Sequence, residues 1–450
     1  MLPSIHLSTS LLLATASTAA ASLSVPIHRR ATSAPSAERY QAMASHLRHK
    51  YGGGGSAASR MSRRQSSASV SLADLSLDSS YSAQLQIGTP AQTFSVIMDT
   101  GSSDLWLAGP DCTSCEMTTF DTSSSSSFET SDTAVRISYG SGQARGTIGS
   151  DTVTMGGFTV QGQTLAIVHS LTDGLKVNNV SGLMGLGFSS IATTKSQPFW
   201  FSLLSSNAFA QPVMGFYLTR WLNVESAQAV EFGGVFTMGG TNTSLYTGDV
   251  DFVDLPNGQA GGFWTIPVES VTLAGQSIPV TTSSSSILGA IDTGTTLIGA
   301  PPSFVESFYS AIQGSEPGTG QWEGFYLYPC DTAVNLTMNF GGAKSWPVSD
   351  DDFKLMQVSD SLCAGGLFEI DTGGSANGAP DWIVGDTFLK NVYSVFRASP
   401  PSVGFAALAN PGDPTGGEVS GNGAGAAAGS VNRCAVAWAA AMALVGAVVL

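Results

Sequence analysis

The chain is expected to fold mostly as β structure, in two related lobes with a cleft between them, and three observations point there. The triplet Asp99-Thr100-Gly101, entered through the apolar run Val96-Ile97-Met98, returns 193 residues later as Asp292-Thr293-Gly294, entered through Leu288-Gly289-Ala290-Ile291. Each triplet is followed, 86 and 93 residues on, by an apolar-apolar-Gly element ending at Gly185 and Gly385. Between these landmarks lie short apolar stretches punctuated by Gly, Asp and Ser, which is the pattern of strands and turns rather than of helices.

The repeated triplet also suggests chemistry. In each copy apolar residues lead straight into the acid, as in a buried strand, and Gly101 or Gly294 supplies a tight turn that leaves the carboxylate at the strand end. A lone Asp-Thr-Gly would be an ordinary solvent turn. Two copies with matching flanks, meeting across a pseudo-twofold axis, would put two carboxyls in one site. They cannot both ionise easily, so one keeps its proton while the other serves as a base.

Along the chain, residues 1–21 have an apolar core at Leu11-Leu12-Leu13-Ala14 and then small residues suited to signal-peptidase cleavage. The net charge is −15, unevenly spread: eight of the 18 Lys and Arg lie in residues 1–64 beside the single acid Glu38. The remainder carries ten bases against 32 acids, a net −22 that disfavours nucleic-acid binding. Residues 22–64 read as a basic pro-segment ending at the dibasic Arg63-Arg64. Strands are expected at 83–87, 93–98, 135–139, 147–155 and 159–168, and short helices at 198–204 and 302–313, where proline can start a helix. The serine runs 123–127 and 283–286 read as surface loops. The first lobe is expected to span 65–250 and the second 251–410.

The carboxyl end is a Gly/Ala-rich spacer, 411–434, followed by sixteen uncharged residues, 435–450. Sixteen helical residues rise only about 24 Å, short of a hydrocarbon core of about 30 Å. Small residues, a polar spacer and a terminal apolar tail match a glycosylphosphatidylinositol signal, with Gly421, Asn422 and Gly423 as candidate attachment positions and Asn422 the chosen one. A membrane helix and a trimmed secreted end are the alternatives. The sequons at Asn179, Asn242 and Asn335 are candidate glycosylation sites.

Two further features complete the motif set. Trp106 stands seven residues after Asp99, and Tyr139-Gly140-Ser141-Gly142 forms the tip of a glycine-rich hairpin. With these, residues 80–408 resemble the pepsin-like aspartic proteases, and the two chain ends suggest the fungal, lipid-anchored, yapsin-like type. The resemblance implies a bilobal β fold and a cofactor-free endopeptidase in which Asp99 and Asp292 activate water. It makes Ser102 and Thr295 the supports of the outer carboxylate oxygens, and Thr100 and Thr293 the lock between the loops. Tyr139, Gly140 and Ser141 would be the flap over an extended peptide substrate, the kind of ligand that adds a strand by main-chain bonds. Lys50 resembles the zymogen lysine with which the pro-segment blocks the dyad, as an intramolecular inhibitor. A monomer is expected.

In a secreted chain Cys112 would pair with Cys115, and Cys330 with Cys363, leaving Cys434 in the discarded tail. A zinc or redox role for Cys112 and Cys115 would need a second Cys or His pair nearby, and none stands there, so no metal is expected. Of five histidines four lie in residues 1–64, which leaves His169 alone to carry any Ser-His-Asp or zinc chemistry. The rival from another class is a catalytically silent peptide-binding or cell-wall protein. Such a protein would betray itself by a replaced aspartate, triplet glycine or flap residue, and none is replaced.

Overall fold

The computed structural model describes residues 67–411 except 140, 141, 178, 257–261, 281–286 and 373–378. It is mostly β, in four sheets of 13, 5, 4 and 4 strands. The helices are short; Phe199–Ser205 and Pro302–Ser310 are the longest among the described residues.

The duplicated triplets sit on duplicated topology. The strand Gln92–Asp99 runs parallel to Gly182–Gly185, which is antiparallel to Leu105–Ala108, and that strand lies parallel to Phe158–Leu171. In the second half Leu288–Ile291 runs parallel to Trp382–Val384, which is antiparallel to Ile298–Ala300, itself parallel to Leu367–Glu369. Strands inside such a sheet are covered on both faces, so they read as continuous apolar runs rather than alternating ones. Leu288–Ile291, Trp382–Val384 and Gly182–Gly185 are buried throughout.

The glycine that ends each apolar-apolar-Gly element is fixed by this crossing. A Cβ on Gly185 would lie 2.5 Å from the Ser103 backbone, and one on Gly385 would lie 2.2 Å from the Thr295 carbonyl. Each glycine therefore lets a strand pass directly under an Asp-Thr-Gly loop, which explains the parallel spacing seen in the sequence. The two halves also pack together: the Trp264 indole N–H donates to the Leu186 carbonyl at 3.0 Å, and its ring lies 4.4 Å from Phe188.

Several strands are longer than expected. The strand Glu129–Tyr139 starts six residues early because residues 129–134 are all exposed and polar in pattern, at the edge of the large sheet. Only Val135, Ile137 and Tyr139 turn inward, and they alone carried the alternating signal. The serine run 123–127 is an ordered turn. Asp121 accepts from the Ser123 and Ser124 hydroxyls at 2.6 Å each, while Ser125 and Ser127 donate to the buried Asp151 at 2.8 and 2.6 Å. Both disulfides, Cys112–Cys115 and Cys330–Cys363, are formed.

Candidate active site

Asp99 ends its strand and Asp292 follows its own by one residue; both are fully buried. The local geometry repeats atom for atom. Asp99 Oδ1 accepts from the Gly101 N–H at 2.9 Å and its Oδ2 from the Ser102 hydroxyl at 2.5 Å. Asp292 Oδ1 accepts from the Gly294 N–H at 2.9 Å and its Oδ2 from the Thr295 hydroxyl at 2.6 Å. One oxygen of each carboxyl is thereby held by a hydroxyl.

The loops are locked to each other by their threonines. The Thr100 hydroxyl donates to the Ile291 carbonyl at 2.9 Å, and the Thr293 hydroxyl to the Met98 carbonyl at 2.8 Å. Each hydroxyl also accepts the other threonine's backbone N–H, at 3.0 and 3.1 Å. Four buried bonds cross-link segments 193 residues apart without involving either carboxyl. The loops meet so closely that a Cβ on Gly294 would fall 2.3 Å from Asp99 Oδ1. Asp99 thus faces the second loop.

Tyr139 ends the strand Glu129–Tyr139, which turns back into Gly142–Met155 with Tyr139 opposite Gly142. Its hydroxyl accepts from the Trp106 indole N–H at 3.0 Å and stands in hydrogen-bonding contact with Ser102. Trp106, Tyr139, Ser102 and Asp99 therefore form one polar chain from the hairpin to the first carboxyl. Burial, then the charges of Asp104 and Asp99, push the Tyr139 hydroxyl well above the ordinary phenol range, so it stays protonated.

The remaining predicted sites separate into three groups. Asn179 is exposed on a turn at φ 64°, Asn335 is exposed just before the strand Leu336–Asn339 at φ 45°, and Asn242 is half-buried with its side-chain oxygen accepting from the Ser244 hydroxyl at 2.7 Å. Gly140, Ser141, the leader 1–21, the basic segment 22–64 with Lys50, and all of 412–450 including Asn422 lie outside the described residues. No helix of the described residues is long and apolar enough to cross a membrane.

Three further buried acids carried no local motif. The Asp104 carboxylate, five residues after Asp99, accepts from the Thr193 N–H at 2.8 Å and from the Thr194 N–H and hydroxyl at 2.9 and 2.6 Å. Asp386 lies behind the second loop, its N–H donating to the Thr295 carbonyl at 2.7 Å, while neither carboxyl oxygen has a hydrogen-bond partner among the described residues. Burial pushes Asp386 well above the carboxylate range against the pull of Lys390, with Asp292, Asp74 and Asp78 adding to the rise. Asp352 meets Lys390 and Arg220 at 3.0 and 2.9 Å, and Lys390 also meets Asp78 at 2.6 Å.

The fold and the paired loops are those of an aspartic peptidase, and the comparisons with known proteins agree. The eukaryotic aspartyl protease family profile matches residues 80–408. Over 359 residues the chain is 45% identical to major aspartyl peptidase 1 of Cryptococcus neoformans var. grubii, covering 78% of this chain and 73% of that one. It is 30% identical to rhizopuspepsin-1 of Rhizopus niveus, covering 86% and 93%, and 32% identical to cathepsin E of Aquarana catesbeiana, covering 73% and 80%. The chain belongs to the pepsin-like eukaryotic aspartyl protease family, and it is an aspartic-type endopeptidase acting on peptide substrates.

Proposed function

We propose that Asp99 and Asp292 are the catalytic dyad of a secreted, acid-active, surface-anchored member of this family. The observation that carries the dyad is the mirrored support of the two carboxyls, each held by a glycine N–H and a hydroxyl on loops locked threonine to threonine.

With one proton shared between the carboxyls, the ionised one takes a proton from water as the water oxygen bonds to the scissile carbonyl carbon. The protonated one gives its proton to the carbonyl oxygen, forming a neutral gem-diol. Collapse breaks the C–N bond: the amide nitrogen receives a proton from the dyad, the gem-diol returns one, and the single shared proton is restored. The proton belongs to the coupled pair rather than to a named residue. Tyr139 and the hairpin beyond it would cover an extended peptide, with Trp106 holding the phenol in place. Activity should follow a bell in pH lying on the acid side of neutrality. Cleavage of an unfolded protein that rises through pH 7 to 9 would refute the acid-dyad reading.

The chain ends support the rest. The leader 1–21 would direct secretion, the basic segment 22–64 would dock on the acidic body until cut near Arg64, and the tail 435–450 would be exchanged for a lipid near Asn422. Treating intact cells with a phosphatidylinositol-specific phospholipase should release active enzyme. Mass spectrometry that finds 435–450 still attached to the cell-surface protein would replace the anchor with a membrane helix.

A further inference from the structure

We propose that Asp104 is a positioning residue that sets the pH range of the dyad by fixing a negative charge behind the first catalytic loop. The inference rests on the dyad reading above. Its starting point is a break in the internal symmetry. Asp104 and Leu297 each stand five residues after their aspartate, and the pseudo-equivalence is structural: the Gly185 N–H donates to the Asp104 carbonyl at 2.9 Å, as the Gly385 N–H does to the Leu297 carbonyl at 3.1 Å. One loop therefore carries a buried carboxylate where its twin carries a buried leucine, at 3% and 0% exposure.

The Thr193 N–H and the Thr194 N–H and hydroxyl all donate to the Asp104 side chain, and a carboxylate is an acceptor-only group. Among the described residues no salt bridge reaches Asp104, and Lys195, the cation next to Thr194, is exposed. Asp104 is held beside Asp99 by one crossing segment, since the successive Gly185 and Leu186 N–H groups donate to the Asp104 and Asp99 carbonyls at 2.9 and 2.8 Å. The other titratable groups around the dyad add little charge: Tyr139 is held neutral, Asp386 is pushed up toward its protonated form, and Lys390 is neutralised by its acids.

An uncompensated anion next to a proton-sharing pair raises the pH at which the last proton leaves. The pair then stays singly protonated, and active, to higher pH. Asp104→Asn, similar in shape but uncharged, should move the upper limb of the kcat/KM profile down by about half a pH unit or more. Thr193→Lys, which changes an exposed side chain and keeps the backbone N–H, should move it in the same direction by less. Thr194→Val loosens the same loop while keeping the charge, and should leave the limb from moving down.

The measurement is kcat/KM from pH 2 to 8 on one internally quenched peptide, with a thermal melt of each processed variant. A shift in Asp104→Asn and Thr193→Lys without one in Thr194→Val supports the proposal. A uniform loss at every pH with the limb unmoved makes Asp104 a loop brace and overturns it. Should Asp104→Asn not fold, an unmoved limb in Thr193→Lys overturns it alone. The dyad reading fails separately, through activity surviving in Asp99→Asn or Asp292→Asn.

Discussion

Asp99→Asn and Asp292→Asn should each lower peptide cleavage by about 10³-fold or more, while the protein folds and melts as before. An amide neither takes a proton from water nor passes one on, so either replacement leaves a single carboxyl where the reaction needs an acid and a base. The fold should survive because none of the four bonds that lock the loops involves either carboxyl. An Asn side-chain oxygen can still accept the Gly101 or Gly294 N–H, so the loop shape persists. The check is cleavage of an unfolded protein at acidic pH beside circular-dichroism melts. Undiminished activity in either variant rules the mechanism out.

Lys390→Met should have the largest effect on stability, about 3–5 kcal/mol near neutral pH. The Lys390 ammonium is fully enclosed between Asp78 and Asp352; burial opposes its charge, but those two acids lift it above the ordinary lysine range. Asp352 is in turn held below the carboxylate range against burial by Lys390 and Arg220. Removing the ammonium leaves the buried Asp78 carboxylate without its cation and Asp352 with Arg220 alone, and the turn at Asp78 loses its tie to a residue 312 positions away. The pH dependence of the wild type has a definite sign. Asp74, pushed up to about 9 by burial and then by Asp78, is protonated in the fold and ionised when unfolded above about pH 4. Its contribution is therefore complete at low pH and drains away as pH rises from about 4 to 9, and Asp386 acts in the same direction. Asp352 acts oppositely, losing its contribution as pH falls below the usual carboxylate range. Urea unfolding at pH 4.5 and 7.5 should show the wild type weaker at the higher pH and Asp74→Asn less so; equal stability of the wild type at the two pH values would contradict this.

The site was legible in the sequence because its geometry is local. A carboxyl at a strand end, its supporting hydroxyl three residues on and a glycine that clears the facing loop all fall within one tetrapeptide, twice. The cysteine pairs Cys112–Cys115 and Cys330–Cys363 were readable once the chain was expected to be secreted. Asp104, Asp386 and the Lys390 network were missed because their meaning comes from residues far away, and a single Asp after Ser103 looks like any polar turn residue. A signal did exist for Lys390: it is a cation directly after the apolar pair Phe388-Leu389, in a chain only 11% charged. The strand Glu129–Tyr139 was underestimated for the complementary reason, since the edge of a sheet leaves half its length polar and without periodicity.

The central claim is that two carboxyls on mirrored loops share one proton, and neutron diffraction from deuterium-exchanged crystals grown at the pH of maximal activity tests it most directly. The account predicts one deuteron on the Asp99–Asp292 pair, with both Oδ2 atoms still accepting from Ser102 and Thr295. Two deuterons on the pair, or none, would contradict it.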